Sequence, residues 1–207
     1  SKHLSFDTAI ISARYDSPRF FGAMEYRFYG ANFIYGRDSG YDGYPGEVHF
    51  PAYAYVGTNL SSSDKITFGI QAVPFDDQYW GSSWYNSLGF VYGLEEVYNP
   101  GITYSHSGNR LSFSGGFFPV AGPPGGGISR DSARYSVNIV KGDSYLPNAS
   151  SNAERNMTIG KVRYALAATD QGELSVTGSA WASTVHNFDN GENGSRHAFA
   201  FSLKDDR

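Results

Sequence analysis

The sequence predicts an all-β fold: a transmembrane antiparallel β-barrel, one domain over residues 1–207 and an incomplete portion of a larger barrel. Three observations predict it. Apolar and polar residues alternate with a period of two in segment after segment, as side chains do on the two faces of a strand. No amphipathic helical pattern and no run of about 18 apolar residues interrupts them, and a barrel strand needs only about ten alternating residues. Short turns and long connections alternate along the chain, as they do where a barrel has tight turns at one rim and loops at the other.

The strands follow in order. "TAIISARY" sets Ala9, Ile11, Ala13 and Tyr15 against Thr8, Ile10, Ser12 and Arg14. "FFGAMEYRFYG" sets Gly22, Met24, Tyr26 and Phe28 against Phe21, Ala23, Glu25, Arg27 and Tyr29, so its two charges share one face. "EVHFPAYAYVG" and "KITFGIQA" repeat the pattern, the second with Ile66, Phe68 and Ile70 opposed to Lys65, Thr67 and Gln71. "RLSFSGGF" sets Leu111, Phe113 and Phe117 against Arg110, Ser112 and Ser114. "TIGKVRYALA" opposes Val162, Tyr164 and Leu166 to Ile159, Lys161, Arg163 and Ala165. "ELSVTGSAWAS" opposes Leu174, Val176 and Ala180 to Ser175, Thr177, Ser179 and Trp181, and "RHAFAFSLK" opposes Phe199, Phe201 and Leu203 to Ser202 and Lys204. The predicted strands cover 4–15, 20–36, 47–58, 65–75, 94–106, 110–118, 156–169, 173–187 and 196–204.

Short turns are expected at 17–19, 60–64, 107–109 and 170–172, and long connections at 37–46, 76–93 and 188–195. The segment 133–142 also reads as a strand, but counting it would invert the alternation after it. Residues 119–155 are therefore expected to form one long excursion or pore loop that does not span the membrane. Nine strands is an odd count where single-chain bacterial barrels have an even one, and the chain closes on "KDDR". That is the basis for expecting an incomplete barrel. The opening "SKHLSFD" reads as that of a mature or trimmed chain.

Composition narrows the classes. Aromatics reach 16%, with 25 Gly, while charged residues are only 17%, below the usual quarter. A net charge of −4 gives no global basic surface for nucleic acid. The absence of Cys excludes disulfides, thiolate zinc sites and a cysteine nucleophile.

The stretch "FGIQAVPF" (68–75), followed after a loop by "YGLEEVYNPGITYSHSG" (92–108), together with "GKVRYAL" before "GELSVTGSAW", resembles segments of Gram-negative outer-membrane porins of the substrate-specific and phosphate-selective type. The resemblance implies a passive channel for small hydrophilic solutes in the bacterial outer membrane, surrounded by lipid, often a homotrimer, with no obligatory cofactor and no enzymatic activity. The alternative is a soluble secreted β-sandwich that binds carbohydrate, because a sandwich strand also has one apolar face.

In a barrel the charged face lines water. The expected pore-lining residues are Arg14, Glu25, Arg27, Lys65, Arg110, Lys161, Arg163 and Lys204, with Arg196 on the same pattern. All but Glu25 are basic, which predicts an anion-preferring pore; the rival expectation is that these charges satisfy one another. Tyr79, Trp80, Trp84 and Tyr85 in the loop 76–90 are candidates for stacking sugar rings or for an interfacial aromatic girdle.

Sharper chemistry is weak. His106 and Ser107 are adjacent, so on a strand they point apart and make no nucleophile–base pair. "DNGENGS" (189–195) has too few oxygen ligands for Ca²⁺, and "GPPGGG" (122–127) lacks the Lys-Ser/Thr and helix of a phosphate loop. No metal site is expected.

Overall fold

A computed structural model of the chain describes residues 8–29, 48–76, 94, 97–122, 152–169, 172–188 and 190–206. It is all-β. The strands are β1 (Thr8–Asp16), β2 (Phe20–Tyr29), β3 (Val48–Asn59), β4 (Asp64–Ala72), β5 (Tyr98–Ser107), β6 (Leu111–Val120), β7 (Asn152–Thr169), β8 (Gly172–Asn187) and β9 (Asn193–Asp206). They form one antiparallel sheet in sequence order, each strand paired only with its chain neighbours. The sheet is not closed into a barrel, and β1 and β9 are its edges.

All nine expected strands are present, with shifted ends. The segment 65–75 loses its last residues: β4 stops at Ala72, and Val73 to Asp76 leave the sheet. β7 begins at Asn152 rather than 156, and β6 runs to Val120, so the excursion expected at 119–155 is shorter than its stated bounds. The long connection expected at 188–195 is short, because β8 and β9 are drawn together by pairs reaching His186↔Asn193. The candidate strand 133–142 lies outside the described residues.

Three irregularities modulate the alternation, one in β3 and two in β7, the last leaving Leu166 unpaired between Ala165 and Ala167. Met24 pairs with Ala54 and Tyr26 with Pro51, so β3 carries an extra residue at Ala52. A proline, which cannot donate to the ladder, is tolerated beside such an irregularity. In β7 the register shifts between Arg155 and Thr158, where Asn156 takes φ 53°.

Register sorts the side chains into two faces. Ile11, Met24, Val56, Phe68, Ile102, Phe113, Val162 and Phe201 lie on one, and all are exposed. Gly178, Ala180 and Ala182 continue that row across β8. The other face carries Thr67, Thr103, Ser175, Thr177 and Ser179, and these are buried. The contrast is sharpest between β8 and β9: Thr177 is 3% exposed and Phe201 is 77% exposed. The usual polarity of a folded chain is thus reversed, with the Ser/Thr face covered and the apolar face bare.

The packed core sits on the Ser/Thr face. Val73, Phe75, Val97, Phe118, Met157, Ile159 and Trp181 form one cluster, with Phe75 edge-on to Trp181 at 5.7 Å. The sheet rolls toward this face. Val73 N–H still donates to Val97 O beside β5, yet three residues later Asp76 N–H donates to Ser179 Oγ on β8. In a flat sheet β8 lies four spacings, roughly 19 Å, from β4. Three extended residues reach about 11 Å, and a serine side chain with its hydrogen bond adds about 5 Å. Curvature makes up the difference.

Candidate functional site

The candidate site is the Ser/Thr face, where the sequence-predicted charges gather. Alternation puts Glu25 and Arg27 on the same side of β2, and Arg27 Nε donates to Glu25 Oε1. Tyr53, directly across on β3, donates its hydroxyl to Glu25 Oε2 at 3.3 Å. Arg14 pairs with Asp16 at the exposed end of β1, and Lys204 with Asp206 at the end of β9. Arg163 on β7 bonds Glu173 on β8. Lys65 holds its ammonium 5.9 Å from the Phe21 ring centroid. Lys161 Nζ donates to Asp76 O at 2.6 Å.

Arg110 lies just outside the sheet. It stands in the turn before β6, where its carbonyl accepts the Ala165 N–H, and its side chain is exposed. Tyr79, Trp80, Trp84 and Tyr85 lie outside the described residues.

The most enclosed chemistry was not among the expected site residues. Glu154, on β7, has a fully buried side chain. Arg196 Nη1 donates to its Oε2 at 2.9 Å, and Trp181 Nε1 donates to its Oε1 at 2.8 Å. Ser183 Oγ also donates to that oxygen. The Arg196 guanidinium lies over the Trp181 ring, 5.1 Å from its centroid. A buried carboxylate is tolerated only when paired and hydrogen-bonded, and three donors meet that demand here.

The strap from Val73 to Asp76 closes over the same face. Its anchors are Ser179 on β8, Lys161 on β7 and Ser202 on β9, whose hydroxyl donates to Asp76 Oδ1 at 3.2 Å.

At the rim, just after the turn Leu60–Ser63, Asp64 accepts from Ser61 Oγ, Tyr104 Oη and the His106 ring. Hydrogen bonds from Ser61, then Tyr104 and His106, hold its carboxyl down at about 2. His106 thus serves the turn, and Ser107 is not its partner.

Among the described residues no three His, Asp or Glu side chains gather as metal ligands, and no helix is long and apolar enough to cross a membrane.

No family model, curated protein or solved structure matches this chain.

What the arrangement offers, then, rests on its own geometry: a concave polar wall whose cations mostly face carboxylates. Asp16, Glu154, Glu173 and Asp206 lie at or beyond the ends of the alternating stretches read from sequence. Signals were present nonetheless. "NAERN" continues the β7 pattern upstream once one extra residue is allowed, and Trp181 already stood on the polar row of its strand.

Proposed function

We propose that the chain is the wall of a porin-like outer-membrane channel through which small hydrophilic solutes diffuse. The observation that carries this reading is the reversed polarity of the sheet. Exposed Phe199, Phe201, Leu203, Val162, Phe113, Phe117, Ile102 and Phe68 share one face. A fully exposed side chain of this kind forfeits about 1.5–3 kcal/mol; at the roughly half exposure seen here the eight together forfeit about 6–13 kcal/mol, comparable with a typical net stability of about 5–15 kcal/mol. Hydrocarbon is the partner that removes this cost across a whole face. The connections after β1, β3, β5 and β7 are short and lie at one rim; at the other rim those after β2, β4 and β6 are long and that after β8 is short.

The polar wall would then face water. Its cations are largely offset by Asp16, Glu25, Glu154, Glu173 and Asp206, so we read any anion preference as weak. The sandwich alternative requires a second layer over the apolar face, and none of the described residues supplies one.

Extraction and planar-bilayer recording test the reading. The expected result is a protein extracted only with detergent, with heat-shifted gel mobility and stepwise ion conductance. A monodisperse protein in plain buffer that never conducts would overturn it.

A further inference from the structure

Asn-Gly occurs at 190–191 and again at 193–194. Glycine after asparagine leaves the peptide nitrogen between them unshielded and free to rotate. By sequence alone the two asparagines have the same chemistry. The fold separates them.

Asn193 belongs to β9, where it pairs with His186 while Gly194 pairs with Val185. Its Oδ1 is held 2.9 Å from His186 Nδ1. A strand side chain stands roughly perpendicular to the sheet, so Asn193 Cγ and the Gly194 nitrogen are kept apart.

Asn190 stands in the exposed turn between β8 and β9. Glu192 N–H donates to its Oδ1 at 2.9 Å. That bond closes a ring through Cγ and the Gly191 nitrogen, which curls the side chain back along the following backbone. Asn190 Nδ2 donates to Glu192 Oε2, also at 2.9 Å. The side-chain carbonyl therefore has a backbone donor aimed where negative charge would develop. The amide nitrogen has a carboxylate placed against any positive charge it gains. One bond opposes attack: Gly191 N–H donates to Asn187 O at 2.9 Å and must release it. Gly191, at φ +74°, has open space where a Cβ would stand, so nothing crowds that release.

We propose that Asn190 is a site of spontaneous deamidation, selected by the turn over Asn193. The inference is independent of the channel reading. The Gly191 nitrogen gives its proton to solvent base, and its electron pair forms a bond to Asn190 Cγ. The carbonyl π pair moves onto Oδ1, then re-forms the double bond as the Cγ–Nδ2 bond breaks. Nδ2 takes a proton from water and leaves as ammonia, and a five-membered succinimide remains. Water opens that ring. Addition at Cγ yields aspartate; addition at the main-chain carbonyl yields isoaspartate, whose backbone runs through Cβ and is one atom longer. Either product adds a negative charge to the turn. The longer path also displaces Glu192 O from the Asn187 N–H that now donates to it.

The test is peptide mapping by mass spectrometry after parallel incubation of folded and urea-unfolded protein at mildly alkaline pH, with fragmentation that distinguishes aspartate from isoaspartate. Loss of the amide raises the mass by about 1 Da. In urea both asparagines are expected to convert. In the folded protein Asn190 converts, giving both products, while Asn193 keeps its amide. Glu192→Ala is expected to slow folded-state conversion of Asn190 by about two- to fivefold, the worth of an exposed charge contact. Retention of the Asn190 amide in folded protein that loses it in urea overturns the proposal. So does folded-state conversion of Asn193 as fast as that of Asn190, or an unchanged rate in folded Glu192→Ala.

Discussion

Arg196 holds Glu154 at 2.9 Å across the Ser/Thr face of the sheet, and the carboxylate it holds is entirely withdrawn from solvent. Removing one partner leaves an uncompensated buried charge, worth about 3–5 kcal/mol. Arg196→Leu is therefore expected to lower stability by that amount in equilibrium urea unfolding. A Glu154→Leu, Arg196→Leu double variant recovers part of the loss, because no charge is then stranded. Equal losses in single and double variants would show that the pair is incidental.

Val162 sits between Lys161 and Arg163, yet it points to the opposite face and is exposed. On a water-facing surface a third cation there changes stability by about 0.5 kcal/mol or less. Against hydrocarbon, Val162→Arg costs about 2–4 kcal/mol. Urea unfolding in lipid vesicles separates the two values, and the small one speaks against membrane contact.

Glycines on the two faces should respond differently to alanine. Gly69 has φ +118°, and its Cβ would lie 2.3 Å from Ala54 O. Gly160 and Gly178 have open space around theirs. Gly69→Ala is expected to destabilise by about 1–3 kcal/mol through backbone strain, while Gly160→Ala and Gly178→Ala stay near wild type in the same unfolding assay.

Asp64 gives the turn a pH dependence. Its carboxyl ionises at about 2 rather than 3.8. Because the folded value is the lower one, its contribution is present above about pH 4 and is lost as pH falls toward 2. Wild type should unfold at higher temperature than Asp64→Asn at neutral pH, and the gap should close across that acid window. A gap that persists at pH 2 would assign the difference to shape instead of charge.

Alternation made the faces legible in the sequence. Ile66, Phe68 and Ile70 against Lys65, Thr67 and Gln71 could be sorted with no structure at hand, because a strand has only two sides. It also placed Glu25 and Arg27 together. What it could not give were events that break the period. The irregularity at Asn156 shifts the phase of β7 and hides Glu154. The departure of the segment after Val73 from the sheet goes with the bonds of Asp76 to Ser179 and Ser202, over a hundred residues away.

The Val73–Asp76 strap also bears on the order in which the molecule assembles. Every strand pairs with its chain neighbour, so the sheet can zip up hairpin by hairpin with modest loop-closure cost. The bond from Asp76 to Ser202 spans 126 residues and must wait until the final strand arrives. Curvature is therefore fastened last: a nascent sheet free to flatten becomes a bent one only when its far side has been built.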